Sequence, residues 1–126
     1  MEGYDSEQMT TDDAADKKLY GGMYEIERTI LTELVAGTPE EWTKIRLEVS
    51  AVWEGNVLKL DYDITSPEGH DASDADYTDD LKAAVEKMIL LNKEHGLLVT
   101  HYTNLASYDG DDWRAKTNYT RTKATG

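Results

Sequence analysis

Thr38-Pro39-Glu40-Glu41-Trp42-Thr43-Lys44-Ile45-Arg46-Leu47-Glu48-Val49 is the stretch on which the fold turns. Gly37 and Pro39 end whatever precedes them. After Trp42 a strict alternation begins. Ile45, Leu47, Val49, Ala51 and Trp53 point one way, and Arg46, Glu48 and Ser50 point the other. A period of two predicts a strand with one buried face.

Upstream, residues 17–36 read as a first helix. Leu19, Met23, Ile26, Ile30 and Leu34 form one apolar stripe, widened by Leu31 and Val35. Gly21-Gly22 weakens it, so the well-formed part is expected from about Met23. Residues 1–16 read as a flexible acidic tail, with Asp13 able to cap a helix. The expected domain is then 17–126, with residues from Lys123 onward fraying.

Downstream, Leu58, Leu60, Tyr62 and Ile64 alternate with Lys59, Asp61 and Asp63, so residues 43–64 read as a β-hairpin turning at Glu54-Gly55-Asn56. Leu60 is expected in the core. Residues 66–80 form a long acidic loop. Residues 79–95 read as a second helix, capped by Thr78 or Asp76 and stopped by Gly96. Its face carries Leu81, Val85, Met88 and Leu91. Residues 97–121 read as a second hairpin around Tyr108-Asp109-Gly110-Asp111-Asp112-Trp113. There Leu98, Thr100 and Tyr102 share one parity, and Val99, His101 and Thr103 the other. The order is α-β-β-α-β-β. It predicts an α+β fold: about four antiparallel strands with the helices packed on one face.

The 126 residues suit one domain, and the net charge of −13 is unevenly spread. Residues 1–16 hold six acids and no base. Residues 66–80 hold six more, Glu68, Asp71, Asp74, Asp76, Asp79 and Asp80, again without Lys or Arg. The rest of the chain is nearly neutral. Such segments repel nucleic acid and anionic membrane and attract a basic protein. The plainer reading is solubility. With no cysteine, disulfides and thiolate metal sites are excluded. No apolar run approaches the roughly 18 residues of a membrane span. The acidic N-terminus is no signal peptide, so a soluble, cytoplasmic protein is expected.

Catalytic patterns are missing. His70, His95 and His101 fall in no H-E-x-x-H spacing, no serine sits in a G-x-S-x-G elbow, and Gly21-Gly22 follows no strand and lacks a P-loop lysine. The acidic loop lacks the Gly and Glu of an EF-hand. No enzyme, metal or cofactor is expected. Trp42 and Trp53 read as core. Trp113, at a turn beside Asp111 and Asp112, reads as an anchor for a partner.

The helix ending at Leu34, Pro39-Glu40-Glu41-Trp42 with Lys44, and the Asp61-Tyr62 strand end resemble the YezG-like immunity proteins, small bacterial antitoxins encoded beside polymorphic toxins. Asp79-Asp80-Leu81, Glu94-His95-Gly96 and the closing Trp113-to-Tyr119 strand fit the same layout. The resemblance covers residues 19–121 and is sharpest at the P-E-E-W segment. It implies a non-catalytic binder that neutralises a toxin domain, often a nuclease. It supplies no site residues. From charge, Asp71, Asp74, Asp76, Asp79 and Asp80, and as an aromatic anchor Trp113, are the expected partner-binding residues. The expected partner is a basic toxin domain, a nuclease, with no nucleic acid or membrane bound. The charged strand face of Arg46, Glu48, Asp61 and Asp63 is the fallback surface. The rival expectation is a small enzyme or ligand-binding domain with a pocket between sheet and helices.

Overall fold

The computed structural model describes the backbone of residues 13–123 and the side chains of residues 21–123. Residues 1–12 and 124–126, where most of the expected tail and the fraying end fall, lie outside the described residues, as does the side chain of Leu19. The elements are α1 (Asp13–Ala36), β1 (Lys44–Glu54), β2 (Val57–Thr65), α2 (Asp79–Glu94), β3 (Leu97–Tyr108) and β4 (Trp113–Lys123). A short 3-10 turn, Ala72–Asp74, interrupts the loop before α2. The four strands form one antiparallel sheet in the order β2-β1-β3-β4. The architecture is α+β, in the expected order of elements.

The alternation of β1 is a burial pattern. Ile45, Leu47, Val49 and Ala51 are buried beneath the helices, and Trp53 is half-buried. These residues meet Met23, Ile30 and Leu34 of α1 and Leu81, Val85, Met88 and Ile89 of α2 in one core. Trp42 is buried at its edge. β1 is central because it pairs on both sides. β2 is an edge strand, so only Ile64 is fully buried there, and Leu60, expected in the core, is half-buried. The first hairpin turns on Gly55-Asn56, with Gly55 at φ +63°, the position where type II′ turns place glycine.

Two expectations need correction. The first helix, expected from residue 17, begins at Asp13, and Gly21-Gly22 does not break it. Gly22 is at the crossing with α2, where an added Cβ would lie 2.8 Å from Leu91 Cδ2. Close helix approach thus offsets its poor propensity. The parity of β3 also changes within the strand. Register shifts between Val99 and His101, so Val99 and Tyr102, three residues apart, are both buried. Thr100 is the extra residue of a β-bulge. Leu98 is consequently not on the face of Tyr102.

Helix α2 follows the sequence closely. Thr78 Oγ1 accepts from the Leu81 amide at 3.1 Å, and Asp79 and Asp80 sit in the first turn. Gly96, at φ +80°, ends the segment.

Candidate functional site: an acidic end of the domain

Antiparallel pairing puts the start of β1, the end of β2, the end of β3 and the start of β4 at one end of the sheet: Arg46 faces Thr65, Lys44 faces Ser107, and Tyr108 faces Trp113. The α1–β1 connection, the 66–78 loop and the 109–112 turn therefore lie along that one end. Between them, with the first turn of α2, they carry Glu40, Glu41, the six acids of residues 66–80, and Asp109, Asp111 and Asp112. The three connecting segments contain no Lys or Arg.

The loop is pinned at four points. Glu68 accepts from the Thr43 amide at 2.9 Å and the Lys44 amide at 3.2 Å, and also from the Thr43 hydroxyl. The His70 ring stacks on Trp42 at 5.7 Å, with planes 13° apart. The Asp76 amide donates to the Gly37 carbonyl at 2.6 Å. That contact requires glycine, since a Cβ on Gly37 would sit 2.6 Å from the Asp76 carbonyl oxygen. Tyr77 Oη accepts from the Ile64 amide at 2.8 Å. The Tyr108 amide, bonded to Thr43 O at 2.9 Å, ties the β3 end into the same assembly.

These contacts divide the acids by role. Glu68 is held below the usual carboxylate range, first by the Thr43 hydroxyl and then by backbone amides. Asp71, an expected partner residue, caps the 3-10 turn: its Oδ1 accepts from the Ser73 amide and hydroxyl, which lowers its pKa. Asp109 is lowered chiefly by the amides of Asp112 and Asp111, with Arg114 3.1 Å away. Asp74, Asp76, Asp79 and Asp80 are exposed, and their carboxylates make no hydrogen bond or ion pair among the described residues. Glu40, Glu41 and Asp111 are likewise open.

Trp113 is half-buried at the first position of β4, with its ring tilted against Tyr108 at 5.5 Å. It shares the end of the sheet with the acidic loop but sits at the opposite edge, three strand spacings or roughly 14 Å from β2. The fallback residues lie on the sheet face opposite the helices, with Arg46 at the same end of the strands as the acidic loop. Arg46 pairs with Glu48 at 2.8 Å, and Glu48 directly faces Asp63. Among the described residues, no three His, Cys, Asp or Glu side chains converge as a metal-binding group, and no helix is long and apolar enough to cross a membrane.

No protein-family model matches the chain, and no curated protein matches it.

A second polar cluster escaped sequence reasoning. Glu27 of α1 points under the helix, where the Tyr119 hydroxyl donates to it. Burial is the main cause of its raised pKa, opposed by hydrogen bonds from Tyr119 and Thr117. Burial likewise raises Tyr102 and Tyr119, whose rings lie 5.0 Å apart. Asn104 donates to Tyr102 Oη at 2.9 Å, while its own Oδ1 is buried without a partner among the described residues. Arg121 bonds the buried Asn92 at 2.9 Å. The sequence did hold a signal. Met23, Glu27, Ile30 and Leu34 follow helical spacing, so an acid lies in the buried stripe, while Ile26 sits at its margin.

Proposed function

We propose that this protein is an immunity protein, a binder that neutralises a toxin domain by covering its basic site with the acidic end of the fold. The carrying observation is that three connecting segments distant in sequence, none of which contains lysine or arginine, line that end, one of them a loop anchored by Glu68, His70, Asp76 and Tyr77. A nuclease must hold phosphate, so its site is basic. A rigid array of carboxylates steers such a domain in and loses little entropy on binding. Asp74, Asp76, Asp79 and Asp80 carry the charge, Asp71 and Glu68 hold its shape, and Trp113 anchors the far edge. The resemblance to YezG-like immunity proteins points the same way. The test is co-purification with the product of the neighbouring gene and assay of that product for nuclease activity. A stoichiometric complex lacking nuclease activity is expected. A toxin that stays active beside an excess of folded protein contradicts the reading.

The buried cluster favours a second reading, a small ligand-binding or catalytic domain. Glu27, raised by burial beside Tyr119, has the features of a general acid. A thermal-shift screen of small polar metabolites, run on wild type and Glu27→Gln, tests it. A stabilising ligand that loses its effect in the variant supports it, and uniform silence counts against it.

A further inference from the structure

We propose that the groove between α1 and α2 seats one arginine side chain of the partner. This rests on the inhibitor reading, and it names the contact that turns charge attraction into a specific fit. The groove encloses about 330 Å³ and opens to solvent. Its floor is apolar. Ala84 is buried and Ile26 half-buried, and the small Ala83 leaves the depression between the helices. Its rim is acidic, with Glu25 and Glu33 on α1 and Asp80 on α2. These three carboxylates have no hydrogen bond or ion pair among the described residues, unlike Glu68, Asp71 and Asp109. Lys87, also in the lining, pairs with none of them.

An apolar floor under unpaired acids matches a long cationic side chain. Its methylene stem covers Ile26 and Ala84 while its head reaches the carboxylates. Arginine suits the site better than lysine. Its guanidinium is always charged, weakly hydrated, and able to bond two carboxylate oxygens at once. Asp80 belongs both to this rim and to the acidic end, so the groove continues the surface that meets a basic partner. Charge complementarity thus selects a basic protein over a second copy of this acidic chain.

The probe is Nα-acetyl-arginine methylamide, titrated into the ¹⁵N-labelled full chain, with the citrulline analogue as its uncharged isostere. The arginine probe should shift the amides of Ile26, Ala83 and Ala84 saturably, and the citrulline probe should not. A Glu33→Gln, Asp80→Asn double variant should weaken the response about two- to fivefold, the scale of exposed ion pairs. Ala83→Trp, which fills the groove from an exposed position, should abolish it. Equal shifts from the two probes, or largest shifts outside the groove, would overturn the proposal. The titration needs no toxin, so the two readings fail separately. Arginine seated in a protein that binds no toxin sinks the inhibitor reading alone. Toxin bound with no arginine response sinks the groove alone.

Discussion

Glu68 and Thr43 are 25 residues apart in sequence, yet the carboxylate of one accepts both the amide, at 2.9 Å, and the hydroxyl of the other. This contact makes an acidic loop into a fixed surface. Glu68→Ala should release it while leaving the sheet intact. Amide hydrogen exchange is the measurement: Thr43 and Lys44 should exchange faster in the variant, with the central β1 amides unchanged. Unchanged protection at Thr43 and Lys44 would mean that the strap does not hold the loop.

The core prediction separates a central strand from an edge. Leu47 is fully buried on β1 and Leu60 half-buried on β2. Leu47→Ala should cost about 2–5 kcal/mol in urea unfolding. Leu60→Ala should cost clearly less, because its site is already partly open to water. Equal losses would contradict the edge position of β2.

Glu27 predicts an inverted pH dependence. Its native pKa lies above its ordinary value of 4.5, so the folded state holds the proton more tightly than the unfolded chain. Its contribution is fully present below that ordinary value and is lost as pH rises through the native one. Glu68, Asp71 and Asp109 are lowered, so their contributions are present above the ordinary carboxylate range and are lost as pH falls through their native values. Glu27→Gln keeps an acceptor for Tyr119 without the buried charge. Denaturation from acid to neutral pH should show the variant gaining on wild type as pH rises. A constant gap across that range would place Glu27 in a solvated setting.

What the sequence revealed follows from what each element buries. β1 was legible because one face is fully buried and the other is charged. Thr78, Gly96 and the Gly55 turn carry local chemistry that any context preserves. The bulge at Thr100 was not legible: no Gly or Pro marks it, and β3 mixes apolar and polar residues on both faces. Glu27 was hidden because a single acid in a helical stripe reads as surface until the partner tyrosines, more than seventy residues away, are folded onto it. The acidic loop was visible in composition. Its convergence with Asp109, Asp111 and Asp112 was not, because that depends on the strand order β2-β1-β3-β4. The capping role of Asp71 lay in a turn that composition does not show.

The central claim is that the open carboxylates of one end steer the partner in. The carboxylates of Asp74, Asp76 and Asp111 make no hydrogen bond or ion pair among the described residues, so changing all three to Asn should move stability by about half a kcal/mol or less each. Charges of this kind act on the association rate and its salt dependence. The deciding measurement is the association rate constant with the toxin domain, by stopped flow from low to high salt, for wild type and the triple variant. The variant should associate more slowly at low salt, its rate should fall less steeply with salt, and the two proteins should converge at high salt. Superimposable rates across the whole salt series would contradict the claim and place the inhibitory surface away from the acidic end.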